Sequence, residues 1–179
     1  MNKPHDVDVI GNFDISNIQY YIKKNKIDYN DNYDDLYNRK PFFEGVFTHF
    51  IINLFKDANY YSYVNFTLMI SELMPILYKK YGKGCVFRMQ LSNMRGGTQI
   101  KPHVDSGLQF VFSHRIHIPI FTNDSVDFFV DDNKFNLECG KIYEINNKKK
   151  HSVINHNPDD HHRIHLIIDY VENQYCPFV

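Results

Sequence analysis

The 179-residue sequence has little net charge, few cysteines and no long apolar run, and each shortage excludes a class of protein. Twenty Lys and Arg stand against 21 Asp and Glu, a formal charge of −1. That balance argues against a general nucleic-acid surface and against strong attraction to a membrane. The three cysteines, Cys85, Cys139 and Cys176, are far apart and odd in number. They form neither a disulfide framework nor a C-x-x-C zinc spacing, and read as reduced thiols of a cytoplasmic protein. Met1 to Asp8 is polar, without an apolar signal region, and no apolar run approaches the roughly 20 residues of a membrane-spanning helix. Repeats, heptads and low-complexity segments are absent as well. What is present is an aromatic fraction of 16%, so Phe and Tyr supply core volume. The length predicts one domain over 1–179 with a sizeable core. The abundance of Asn, Lys, Ile and Tyr suits an AT-rich coding sequence, viral or bacterial.

The chain divides by period. Residues 1–84 read as a supporting region of helices and loops, and 85–170 as a β-rich core. Residues 1–13 show no clear period, and Ile15 to Tyr21 makes a short helix with Asp14 or Ser16 offering the cap. Asn25 to Lys40, dense in Asn, Asp and Tyr, reads as a loop, either facing substrate or packed as an irregular connection. Phe47 to Phe55 suits strand or helix equally. Thr67 to Tyr81 carries a helical stripe of Leu68, Met69, Leu73, Ile76, Leu77 and Tyr81, with Pro75 expected to kink or split it and Gly82 to end it. From Cys85 onward apolar and polar residues alternate. About seven short strands follow, at 85–92, 98–102, 114–121, 126–130, 142–145, 151–155 and 162–170, separated by turn signals. That pattern predicts a sandwich or jelly roll.

The chemistry gathers in this second half. His103 and Asp105 are two residues apart, so on an extended segment they point the same way. A histidine from a later strand, His151, would complete a 2-His-1-carboxylate face that leaves metal positions open. Polar pairs at the same spacing recur nearby, Arg115/His117 and Arg163/His165, opposite the aliphatic Ile116, Ile118, Ile164 and Leu166. A half-solvated sheet produces such alternation. Its recurrence beside the metal candidates points instead to a polar pocket inside the sandwich, with helices covering the aliphatic face. His161-His162 reads as a solvated loop, since adjacent strand residues point apart. Lys148-Lys149-Lys150 reads as a hairpin tip, and Asn93, Arg95 and the 25–40 loop as candidates for a substrate groove.

The ordered motifs Pro102-His103-Val104-Asp105, Arg115-Ile116-His117-Ile118-Pro119-Ile120, Gly140-Lys141-Ile142-Tyr143-Glu144-Ile145, His151-Ser152-Val153-Ile154-Asn155 and Arg163-Ile164-His165-Leu166-Ile167-Ile168-Asp169 resemble the aspartyl/asparaginyl β-hydroxylase family of Fe(II)/2-oxoglutarate oxygenases. The resemblance covers about 85–170. It implies a mainly β chain with N-terminal helices and a double-stranded β-helix core, a jelly roll of cupin-like form. It implies iron on His103, Asp105 and His151, and 2-oxoglutarate bound by Arg163 with Arg115 and His117 against it. The matching activity hydroxylates an amino-acid side chain, free or in a peptide or protein, with 2-oxoglutarate and O2 as co-substrates. One departure is the loop Asn157 to His162, which lengthens the spacing from His151 to Arg163 and leaves the register of Arg163 open. The competing readings are a non-catalytic metal-binding jelly roll and another metal-dependent cupin-type enzyme.

Overall fold

The computed structural model describes residues 2–25, 45–53 and 71–176. Nearly all of the expected 25–40 loop, and the start of the helix expected from Thr67, lie outside the described residues. The elements run β1 (Val7–Asn12), α1 (Ser16–Lys24), β2 (Val46–Asn53), α2 (Leu73–Tyr81), β3 (Gly84–Met94), β4 (Gln99–His103), α3 (Leu108–Val111), β5 (His114–Phe121), β6 (Val126–Val130), β7 (Asn133–Phe135), β8 (Lys141–Ile145), β9 (His151–Asn155) and β10 (Arg163–Glu172), closed by a 3-10 turn at Asn173–Tyr175. No described helix is long and apolar enough to cross a membrane.

Two antiparallel sheets form the expected jelly roll, one ordered β1-β8-β5-β10-β3-β2 and the other β4-β9-β6-β7. Their facing sides share an apolar cluster, in which Met94 and Ile145 of the larger sheet meet Ile100, Phe128, Val130 and Val153 of the smaller. The outer face of the larger sheet carries Ile116, Ile118, Ile120, Ile164, Leu166 and Ile168, and is covered by Ile18 of α1 with Leu73 and Leu77 of α2. Strand alternation thus sends one set of β5 and β10 side chains to the helices and the other set between the sheets. Both sets are buried, so the polar one lines an interior and does not face bulk water.

Three local expectations change. The region 1–84 holds two strands besides its helices: β1 pairs with β8 and β2 with β3, at opposite edges of the larger sheet. Pro75 neither kinks nor splits α2, because it is the third helical residue. The first four N–H groups of a helix have no intrahelical acceptor, so proline loses nothing there. Gly82 ends α2 as expected, at φ 84° with its N–H bonded to Tyr78 O. Asn133, the last residue of the turn signal Asp131-Asp132-Asn133 that follows the strand expected at 126–130, begins the short strand β7.

Candidate metal and co-substrate site

β4 and β9 pair antiparallel, and a register shift between Ile100 and His103 sets His103 opposite His151. Their rings tilt together with centroids 4.3 Å apart. β4 stops at His103, so Asp105 lies two residues past the strand's end, where its N–H bonds to Asn147 O at 3.3 Å. Strand alternation is therefore not what aims the carboxylate; the loop beyond β4 is. Asp105 Oδ1 stands 4.0 Å from Nε2 of His103 and 4.0 Å from Nε2 of His151. One ligand atom from each of the three residues falls within 4.8 Å of the other two.

The far side of each imidazole is engaged. His103 Nδ1 is 2.8 Å from Lys101 O, and His151 Nδ1 is 3.0 Å from Lys149 O. A carbonyl accepts, so each Nδ1 carries a proton, and Nε2, the atom toward the centre, is the one left to ligate a metal. Burial, with the neighbouring His151, holds the His103 pKa below the usual histidine value. Burial alone would raise the Asp105 carboxyl, but the charges of Arg115, His151, His103 and Arg88 outweigh it and hold the pKa down. A neutral imidazole beside an ionised carboxylate is the state a divalent metal requires. The donors and their outer partners fit Fe(II) on three neighbouring positions.

Both triad ends open onto one cavity, whose wall includes Arg88, Gln90, Arg115, His117, Phe128 and Arg163. Its polar floor follows from register. Asp169 lies opposite Arg88 on β3 and Arg115 on β5, Ile167 opposite Gln90 and His117, and His165 opposite Ser92. Arg115 Nη1 donates to both oxygens of Asp169, at 2.9 and 3.1 Å, and Arg88 Nε donates to Oδ2 at 2.7 Å. Arg115 Nε also stands 3.0 Å from Asp105 Oδ2; this is an ion pair whose angle falls short of a hydrogen bond. Burial, then the charges of Arg115 and Arg163, drive the His117 pKa well below normal; burial, then Arg163 and His117, do the same to His165, so both are neutral.

Arg163 is 2% exposed. Its Nη2 lies 2.7 Å from His165 Nδ1, and its buried Nε has no hydrogen-bond partner. No carboxylate pairs with it among the described residues. Burial pushes its pKa down to about 9, which still leaves a cation at neutral pH.

The loop that left this register open is folded out of the way. Asn155, 1% exposed, shares its Nδ2 hydrogens among Met94 O, Arg95 O and His161 O. Gly96 packs against the Pro158 backbone. Of the remaining candidates, His162 is tied to Asn93 Oδ1 at 2.7 Å and His161 to its neighbour Asp160. Arg95 is half exposed and pairs with Asp159. Arg88, Gln90, Asp169 and Phe110 were not singled out from the sequence. The signal for Arg88 and Gln90 was their alternation with Phe87, Met89 and Leu91, which puts them on one face of β3.

Residues 65–173, more than half of the chain, match the family model described as aspartyl/asparaginyl beta-hydroxylase. The curated proteins contain no match in sequence. Among solved structures, the chain is similar to an oxidoreductase of the 2OG-Fe(II) oxygenase family from Burkholderia pseudomallei, with 14% identity, 70% of this chain and 67% of that one covered, and a TM-score of 0.56. It is similar to a viral collagen prolyl hydroxylase from Paramecium Bursaria Chlorella virus-1 in its 2OG complex, with 8% identity, 93% and 96% covered, and a TM-score of 0.56. A prolyl-4-hydroxylase from Pseudomonas putida gives 10% identity, 94% of each chain and a TM-score of 0.55. At such identities these likenesses establish the double-stranded β-helix fold.

Proposed function

The chain belongs to the aspartyl/asparaginyl β-hydroxylase family, and on that premise we propose that it hydroxylates an amino-acid side chain, free or within a peptide or protein. It is a 2-oxoglutarate-dependent dioxygenase using Fe(II), 2-oxoglutarate and O2. In our reading His103, Asp105 and His151 hold the metal, and Arg163 holds the far carboxylate of the co-substrate with His117 beside it. When bound, the metal and co-substrate supply the oxidation, releasing succinate and CO2 as a substrate C–H becomes C–OH.

The protein's part is binding, orientation and exclusion of water. The Lys101 and Lys149 carbonyls keep two lone pairs aimed at one point. Ile100, Phe128 and Val153 give the cavity apolar walls. A planar guanidinium can grip a carboxylate through two parallel bonds.

The observation that carries this reading is Arg163. Burying a cation without a counter-charge costs several kcal/mol, and no carboxylate among the described residues offsets that cost beside the triad. A dianionic keto-acid removes it. A non-catalytic metal-binding module gives such a residue no purpose.

Anaerobic titration with Fe(II) and then 2-oxoglutarate tests the assignment through the visible metal-to-ligand charge-transfer band. The band is expected in wild type and lost in His103→Ala. Arg163→Met is expected to keep metal uptake and raise the 2-oxoglutarate Kd at least tenfold. Succinate release with candidate peptides then measures turnover. Metal uptake without a band or succinate would establish a non-catalytic metal-binding module instead.

A further inference from the structure

We propose that Arg115 is a positioning residue for the carboxylate ligand Asp105 and not a contact of the co-substrate, its grip set by the ion-pair chain Asp105–Arg115–Asp169–Arg88. This rests on the reading of His103, Asp105 and His151 as metal ligands.

A carboxylate offers two oxygens, and rotation about its last bond exchanges them. Here the two are differentiated. Oδ1 faces both imidazoles at 4.0 Å, while Oδ2 faces Arg115 Nε at 3.0 Å. Arg115 thereby occupies the oxygen that does not face the triad's centre. Turning Oδ2 inward, or bringing both oxygens onto the metal, would break that ion pair where the Asp105 side chain is only 8% exposed. The carboxylate is held to one ligand atom, and the coordination positions a second oxygen would take stay open for the co-substrates.

Arg115 is itself held from behind. Asp169 lies between Arg115 and Arg88 on adjoining strands and bonds to both, and it is 1% exposed. The Phe110 ring lies over both guanidiniums, 4.8 Å from Arg88 and 5.1 Å from Arg115. Among the described residues these two guanidiniums pair with the carboxylates of Asp105 and Asp169, and Arg163, at the other end of the polar row, pairs with none. Charge counting therefore separates two arginines that the motif pattern places in one role.

The test measures metal and co-substrate affinity separately on the full-length chain. Co(II) affinity is measured by competition with a chelator. The 2-oxoglutarate Kd is then measured on metal-saturated protein by calorimetry. Arg115→Gln is expected to weaken Co(II) binding 10–100-fold, the usual effect of losing an outer partner, and to change the 2-oxoglutarate Kd by less than about threefold. Asp169→Asn, near-isosteric, is expected to weaken Co(II) binding in the same direction, because it loosens Arg115. Arg115→Lys, which keeps the charge, serves if Arg115→Gln does not fold, and its expected loss is smaller. In an Asp105→Ala background Arg115→Gln is expected to add nothing. The inference is overturned if Arg115→Gln spares Co(II) and loses 2-oxoglutarate, or if its effect on Co(II) persists without Asp105. A wild-type protein that takes up no metal would overturn the ligand reading and this inference together; normal uptake with an unaffected Arg115 variant overturns this inference alone.

Discussion

Arg163 donates from Nη2 to Nδ1 of His165, 2.7 Å away, two residues along the same face of β10. Nδ1 must accept, so the imidazole is neutral with its proton on Nε2, the state favoured by burial and by the adjacent Arg163 charge. The bond sets the direction of the guanidinium fork. His165→Leu, close to histidine in volume, deletes the acceptor and leaves another buried donor unpaired. The expected result is a loss of about 1–3 kcal/mol of stability and a 2-oxoglutarate Kd raised about tenfold, read by chemical denaturation and calorimetry.

Arg163 also sets stability against function. Replacing a buried, uncompensated charge with an apolar side chain is often stabilising by about 1–4 kcal/mol. Arg163→Met without ligand is therefore expected to melt above wild type. Wild type should gain about 2.7 kcal/mol when 2-oxoglutarate reaches a hundred times its Kd, while the variant, its Kd raised at least tenfold, should gain no more than about 1.4 kcal/mol at that concentration. Thermal melts with and without co-substrate, at constant metal, check both signs.

Gly96 joins the β3–β4 turn to the loop that precedes Arg163. A Cβ there would meet the Pro158 carbonyl oxygen at 1.7 Å and the Asn157 oxygen at 2.7 Å, backbone atoms that cannot rotate aside. Gly96→Ala must push the loop outward and strain the Asn155 bonds that staple it. Overpacking of this kind costs about 1–3 kcal/mol. Because the loop leads directly into β10, the variant should also weaken 2-oxoglutarate binding. The exposed Arg95–Asp159 pair contributes little by comparison, so Asp159→Asn should leave both measurements near wild type.

Asp6 anchors the start of β1. Its carboxylate accepts from Lys149 at 2.6 Å and from Asn133 at 2.9 Å, and its carbonyl accepts from Asn146 N–H. The Lys149 bond leads the effects that hold its pKa below the ordinary carboxylate value. A depressed folded pKa means that the unfolded state binds the proton first. The stabilisation is thus full above the ordinary carboxylate range and is lost as pH falls through the lower folded value. Amide protection factors in β1 should fall across that acid window while those of β10 hold. Asp6→Asn should remove that pH dependence of β1 protection.

Much of the site could be read along the chain because strand alternation is a local property. The polar row Arg115/His117 and Arg163/His165 and the aliphatic row against the helices follow from a period of two, whereas Asp105, past the end of β4, is aimed by the loop. β1 was not legible: Val7–Asn12 is a half-exposed edge strand whose Val9 faces solvent, so it carries no alternation. Pro75 reads as a helix breaker in the sequence, and only the helix start at Leu73 makes it harmless. Arg88 and Asp169 showed on the right face but had no visible partner.

The family, the β-rich core, the candidate ligands and the sidedness of the strands are legible in residue type and spacing along the chain. The tertiary structure alone decided which arginine is spent on which carboxylate. Arg88 and Arg115 meet Asp169 because β3, β10 and β5 lie side by side in one register, and Arg163 lies beyond the reach of that pairing. Charge neutralisation acts across space over a few ångströms, and no local pattern records which strands will be neighbours.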